Sequence, residues 1–573
     1  MKIKHKISLS AITLLIMVSC VDLNYSEVQT NDKEWVYSMP SYISRLVTNV
    51  YAHVRYDLGQ YNGAMKASAT DESDYAISTS DIHKFYNGGW SPINPFDQIW
   101  TNSYAGIAQA NNFLEELDKI YPSLEEYRYN VTVSPYEDLR KQFELYEYEV
   151  RFLRAYFYFE LVRTYGDVPL VTKVLTNAEA NTLSRTPANE VFEFIVSECD
   201  AIADKLPITY LEEPNQEINR VNRITVLALK ARTLLYKASP LFNTDSDAEL
   251  WKEAAAANKA VIDFAPASGV SLGKYAQLSG EASYANPEMI WIRGTGTPDE
   301  WRYNAVEQFN FPIGVENGQS GNCPTQSLVD AYEFKAGTNA GQSFGEVWSE
   351  NTINLSDNPY NDLDPRFGMT IVKNGDNWPS YTGVSVEIFE GGANASPIYG
   401  ATQTGYYLKK ICDPDANIST NNPSPKRHNY ILFRLGEFYL NYAEAIYHAT
   451  GSANNAGELE MTANEAINIL RDRQDVQMPH WEGEDSDFLN KYYNERFVEL
   501  AFEDHRFWDV RRWKMGAEYF STINTVKLSK KADGTILLNR EQKNRGWDDK
   551  YYLFPVPFSE IQKNPKLVQN PGW

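Results

Sequence analysis

The 573-residue chain has only 4 cysteines, and none stands at a C-x-x-C or Cys/His spacing, so neither a zinc site nor a disulfide framework organises it. Cys199, Cys323 and Cys412 are scattered and allow at most one disulfide. No apolar run reaches the ~20 residues that a membrane-spanning helix requires. Signatures of common chemistry are also missing: no P-loop, H-E-x-x-H or G-x-G-x-x-G occurs, and neither a metal nor a cofactor is expected. Positive charge is the scarce sign, with 53 Lys+Arg against 76 Asp+Glu and a net charge of -23. So acidic a body repels nucleic acid, which is therefore not expected as a partner.

What the chain does contain begins at its N-terminus. Lys2, Lys4 and Lys6 form a basic region, Ile7 to Val18 an apolar one, and Ser19-Cys20 follows directly. Roughly 12 apolar-dominated residues suit a secretory signal and not a membrane span. A small residue followed by Cys resembles a bacterial lipobox. On that reading residues 1–19 are a lipoprotein signal peptide, and the mature chain is tethered to a membrane by lipid on Cys20.

The body reads as helical. Val150, Leu153, Phe157 and Leu161 fall on one stripe that ends at Tyr165-Gly166. Thr186-Pro187 is expected to open the next helix as cap and first residue. Ser246-x-x-Glu249 and Thr462-x-x-Glu465 both read as capping boxes. The helices sort into antiparallel pairs, 41–58 with 97–120, 140–165 with 187–206, 224–239 with 247–264, and 432–449 with 462–473. Small residues such as Ala228, Ala231, Ala443 and Ala445 stand where helices must approach closely. The expected fold class is therefore mainly α, a tetratricopeptide-like helical-pair solenoid, with three pairs in an N-terminal part (20–264) and the rest in a C-terminal helical part (431–573). Residues 265–430 break the rhythm with Gly, Asn, Pro, Ser and Tyr. Only short alternating runs such as "EMIWIR" and "VSVEIF" occur there, and a stretch this long reads as a loop-rich, ligand-binding insertion.

Two patterns invite a chemical reading. Glu437 and Glu444 share one face of a helix, but two turns separate them by about 10 Å, wider than glycosidase pairs use. No enzymatic activity is expected. The segment "NERFVELAFEDHRFWDVRRW" (494–513) interleaves acids with arginines, and i,i+3 pairs such as Glu503–Arg506 and Asp509–Arg512 read as a structural ion-pair network. Aromatics on loops are the better lead among 13 Trp, 38 Tyr and 26 Phe. Tyr86, Trp90, Trp301, Tyr303, Trp378 and Tyr381 all stand among turn residues. A sugar ring offers an apolar C–H face and a hydroxyl rim, so it is held by an aromatic platform with carboxylate or amide forks such as Asp71, Asp74 or Asn94.

Four blocks carry a resemblance: "EVRFLRAYFYFELVRTYGDVPLVT" (149–172), "ILFRLGEFYLNYAEAIY" (431–447), the segment 494–513, and the closing "YYLFPVPFSEIQKNPKLVQNPGW" (551–573). Together they resemble the SusD/RagB-like outer-membrane lipoproteins. That resemblance implies a solenoid with a loop-rich subdomain, placed on the outer membrane facing the cell exterior. It further implies that the chain binds oligosaccharides or related nutrients without transforming them, and delivers them to a SusC-like, TonB-dependent barrel. In the family "ATDESDY" lies near the ligand, which favours Asp71. The alternative is a lid or scaffold for the transporter, with little ligand affinity of its own.

Overall fold

The computed structural model describes residues 33–37, 39–121, 133–210, 219–295, 305–483 and 485–573. The expected signal peptide, Cys20, Trp301 and Tyr303 lie outside the described residues. The chain divides into two compact units, Met1–Leu46 with Glu116–Lys141, and Val47–Glu115 with Gln142–Trp573. In the smaller unit the Glu116 carboxylate takes Lys33 and Lys119, each at 2.7 Å. The larger unit holds the helical stack and the loop block.

The fold class is a helical-pair solenoid, as the periodicity required. Val150, Leu153, Phe157 and Leu161 are at most 1% exposed, on the helix Val133–Tyr165. Phe157 lies against Gly106 of the helix Ile99–Glu115, where a Cβ would come within 2.5 Å of the ring, so only glycine permits this approach. His53, just past the helix Pro40–Tyr51, bonds Asn102 and Gln109 of the same helix, each at 3.0 Å. Arg223–Ala238 packs on Ala248–Phe264, and Leu435–Thr450 on Ala463–Arg471. The four alanines singled out for close approach are all fully buried.

Helix starts follow the sequence in part. Thr462 and Glu465 form the expected capping box, with Thr462 Oγ1 accepting from Glu465 N at 3.1 Å and Glu465 Oε2 accepting from Thr462 N at 2.7 Å. The box expected at Ser246 does not form. Ser246 is left-handed at φ 55, and Asp247 caps instead by accepting from Glu249 N at 2.9 Å. Thr186 is likewise no cap, because its backbone bridges to Val168. Asp167 accepts from Ala188 N at 2.8 Å and satisfies the first turn of Ala188–Ile202.

Ala248–Phe264 also packs directly on Leu435–Thr450, and Trp251 stacks on His448 with ring centroids 4.3 Å apart. The intervening chain therefore leaves and rejoins the stack at neighbouring helices. Its base is closed by the antiparallel pair Met289–Thr295 and His428–Arg434. "EMIWIR" supplies the first of these strands, whereas "VSVEIF" forms none and makes only a bridge from Ser385 to Asn377. The block has a core of its own, including Phe311, Leu328, Tyr332, Phe344, Phe367 and Tyr407, and Met65, Phe497 and Phe502 enter it from outside. Cys323 and Cys412 are buried free thiols in that core, and Cys199 is a third elsewhere. Burial pushes the Cys323 thiol up to about 12.

The C-terminal part is not helical throughout. Thr522–Lys530 and Ile536–Asn544 form a hairpin, and Thr352–Asn354 adds to its second strand. Gly534 turns the chain at φ 89 after Asp533, a backbone conformation that glycine adopts without strain. Among the described residues no helix is long and apolar enough to cross a membrane.

Candidate ligand-binding site

The segment Asp71–Tyr75 lies where the N-terminal loops meet the insertion. Ser73–Tyr75 pairs antiparallel with Asn322–Pro324, Tyr75 standing opposite Asn322, and Ala76 N continues the ladder by donating to Gly321 O at 3.0 Å. In an antiparallel pair the chain beyond Tyr75 and the chain before Asn322 leave at the same end. Loops 76–94 and 308–321 therefore emerge together. Loop 59–63 joins them, since Asn322 Nδ2 donates to Gly63 O and Tyr75 OH to Asn62 O, both at 3.0 Å. The Phe309 ring lies directly on Gly63, where a Cβ would meet it at 2.4 Å. Loop 391–402 completes the group. Asn394 Nδ2 donates to Ile313 O at 2.6 Å, and Gly400 rests on Ile77.

These four loops expose Gln60, Asn62, Ser78, Thr79 and Asn317, with Phe309 half-buried. Tyr399 is 72% exposed and is the most accessible aromatic of the group. The face thus combines aromatic surface with amide and hydroxyl groups, a chemistry suited to a polyhydroxylated ligand. Sequence reasoning missed Tyr399, although it stands in "ASPIYG" among the same turn residues that singled out Trp90 and Trp378.

The residues chosen from sequence are distributed differently from expectation. Asp71 is buried, and Arg506 grips both its oxygens at 2.9 and 2.7 Å, so its carboxylate is committed to the interior. Asp74 is buried too, held by Arg545 at 2.8 Å, Lys543 at 2.6 Å and the Tyr86 hydroxyl at 3.1 Å. Burial pushes its carboxyl up, but Arg545 and Lys543 outweigh that and hold it below the usual range. Trp90 is 4% exposed, in an aromatic nest with Phe85, Phe554 and Trp573 at 4.6 to 4.9 Å. Trp378 is equally buried, edge-on to Phe311 at 4.6 Å, and Tyr381 shares that phenylalanine at 6.2 Å. Trp378 also borders a depression of about 450 Å³ with Lys373, Asp376 and Asn377. Asn94 alone is well exposed, in a turn closed by its N–H to Ser91 O at 3.1 Å. The structure therefore joins Asp74 to Tyr86 and Trp378 to Tyr381, and leaves Asp71 and Trp90 in separate interior clusters.

Carboxylates that could suggest hydrolysis are likewise occupied. Glu437 binds Arg232 Nε at 2.7 Å and Asn441 Nδ2 at 3.1 Å. Glu444 accepts from Arg512, Tyr492 and Trp513 at 2.6 to 2.7 Å. Burial raises the Glu444 carboxyl, yet Arg512 draws it down to about 2. Gly341-Gln342-Ser343-Phe344-Gly345 has the G-x-S-x-G spacing of a nucleophile elbow. Ser343 instead caps the short helix Phe344–Val347, its Oγ accepting from Glu346 N at 3.3 Å.

The arginine-rich segment 494–513 is a structural network, with one of the two pairs its spacing implied in place and the other exchanged. Asp509–Arg512 forms at 2.9 Å, whereas Glu503 binds Arg434 and Lys410 and leaves Arg506 to Asp71. Arg434 bonds Glu288, Glu499 and Glu503 at 2.5 to 3.0 Å. Arg366 spans Asp364, Glu495 and Glu499 at 2.5 to 3.1 Å. All of these groups are buried, and they weld the insertion to the C-terminal helices.

A stack of helical pairs here holds a block of loops whose exposed face carries aromatic, amide and hydroxyl groups. The chain belongs to the SusD/RagB family: residues 287–573 match the SusD family, and residues 23–235 match a family described as starch-binding and associating with the outer membrane. SusD-like protein P2 of Formosa agariphila is 24% identical over the whole of both chains. A SusD-like protein of Bacteroides fragilis superposes with a TM-score of 0.75 at 26% identity, covering 95% of this chain and 98% of that one. A laminarin-binding SusD-like protein superposes with a TM-score of 0.62 at 20% identity, covering 93% and 99%.

Proposed function

We propose that this protein is a cell-surface lipoprotein that captures oligosaccharides on its loop face and hands them, unaltered, to a SusC-like TonB-dependent barrel in the outer membrane. The observation that carries the proposal is the four-loop face, where aromatic, amide and hydroxyl groups point outward while the nearby carboxylates Asp71 and Asp74 are tied to arginines beneath. That composition provides stacking and neutral hydrogen bonds. The relatives support the reading: one similar structure is a laminarin-binding protein, and the matched N-terminal family is described by starch and the outer membrane. The lipid on Cys20 supplies the tether.

The test is binding of a broad glycan panel by the full chain, followed by analysis of the recovered sugars. Saturable binding with sugars returned intact is expected, together with loss of uptake at low sugar concentration when Tyr399 and Phe309 are replaced by alanine. Uptake that survives those changes with no measurable binding would replace capture by the lid reading. Shortened sugars would point to an enzyme.

A further inference from the structure

We infer that the loop face takes uncharged glycans and rejects sulfated or uronate-bearing ones. The inference rests on this face being the ligand site and adds the charge class of the ligand.

Loops 59–63, 76–94, 308–321 and 391–402 contain no arginine and a single lysine. That lysine, Lys84, places its Nζ 2.7 Å from Asp81 Oδ1 and 5.6 Å from the centre of the Phe96 ring. His83, the one histidine of these loops, is buried, with Nδ1 3.1 Å from Ser78 O. The cations packed underneath are also engaged. Arg545 and Lys543 both hold Asp74, Arg506 holds Asp71, and Lys66 lies 3.0 Å from Asp97. Lys543 reaches the rim with its side chain 45% exposed, but its ammonium sits 2.6 Å from a carboxylate already shared with arginine. Against these, Glu316 presents exposed negative charge, and Asp81, also exposed, is the partner of Lys84.

A sulfate or carboxylate on a sugar is held by charge-assisted hydrogen bonds from lysine or arginine, and the bidentate arginine pair is the strongest of them. To bind an anionic chain through the cations beneath, this face would have to break the ion pairs of Asp71, Asp74 and Asp97, leaving buried carboxylates uncompensated, and the one loop cation, Lys84, would have to leave the exposed Asp81. The ligand would meanwhile approach a body of net charge -23. An uncharged chain pays neither cost. Tyr399 offers it a ring face and Phe309 a half-buried one, while Gln60 and Asn62 offer amides that donate and accept without charge.

The experiment is an array of neutral, sulfated and uronate-containing glycans, including starch and laminarin oligosaccharides beside their sulfated counterparts, probed with the full chain in detergent. Binding is expected among neutral chains, with each sulfated counterpart at least about tenfold weaker. The affinity for the neutral chain should change less than about twofold between roughly 50 mM and 500 mM salt, because no ion pair forms on binding. Tyr399→Ala should weaken that neutral binding while leaving the unfolding midpoint in place. Preferential binding of sulfated or uronate chains, weakened by salt, overturns the charge assignment and leaves glycan capture standing. An array with no binding of any kind overturns the capture reading itself.

Discussion

Two neighbouring regions of this protein use polar residues in opposite ways. Behind the strand pair Ser73–Tyr75 and Asn322–Pro324, where Arg506 holds Asp71 and Arg545 holds Asp74, and in the network of Arg434 with Glu288, Glu499 and Glu503, arginines and carboxylates are paired in the interior. At the end of the same ladder, the loops present amides, hydroxyls and aromatic rings with no arginine and a single, paired lysine. Buried ion pairs add little net stability over well-packed apolar residues, but removing one partner is costly, so they tolerate only one arrangement of the chains that supply them. The exposed loops carry no such constraint and can change side chains without disturbing the frame. Charge inside fixes the scaffold, and the lack of free cations outside is what the proposed preference for uncharged glycans rests on.

The largest test of that contrast is Arg434→Ala, which takes one shared cation from three buried carboxylates and leaves them to Arg473, Arg366 and Lys410; it should cost about 3–5 kcal/mol in urea-induced unfolding. A loss below about 1 kcal/mol would mean that the network does not lock the block in place. Trp90→Ala should cost about 3 kcal/mol through the cavity left among Phe85, Phe554 and Trp573. Glycan affinity of the folded variant should nevertheless stay unchanged, and a lost affinity would return Trp90 to the site.

Two carboxyls give opposite pH signatures. Burial pushes Glu72 up to about 8, against the pull of the Phe502 N–H that it accepts. Its folded value exceeds its unfolded one, so its contribution is fully present below about pH 4.3 and is lost as the pH rises through about 8. Glu72→Gln keeps the acceptor and removes the titration. It should therefore gain on the order of 1–3 kcal/mol at pH 8 and nothing near pH 4, read from unfolding at both pH values. Glu444, held at about 2, behaves in reverse. Its contribution is present above about pH 4.3 and is lost on acidification toward 2, so the stability of Glu444→Gln should fall less steeply over that range.

The smallest expected effect on stability belongs to Tyr399→Ala, within about 0.5 kcal/mol, since the side chain is 72% exposed. Its effect on binding should be about 1–2 kcal/mol by titration calorimetry, the cost of removing one aromatic platform. An unchanged affinity would move the site away from loop 391–402.

Some of this was open to reading in the linear chain, and some was open but overlooked. The stripe through Val150 and Phe157 and the box at Thr462 are local patterns, and the structure contains both. Asp533-Gly534 between alternating runs is a hairpin signal of the same local kind, yet the C-terminal part was expected to be helical. Other features have no local signature. Trp90 and Trp378 stand among glycine, proline and serine as exposed binding aromatics would, but Phe554 and Trp573 bury the first and Phe311 the second.

By itself, then, the sequence determined the helical pairs, their caps in part and the family, because each depends on residues within a few turns or on long matching blocks. Only the tertiary structure decided which charges are spent and which aromatics face the solvent. Asp71 meets Arg506 across 435 positions, and Arg434 meets Glu288 across 146. At such separations, pairing is settled by how the helices and the loop block pack together, and spacing along the chain carries no trace of it.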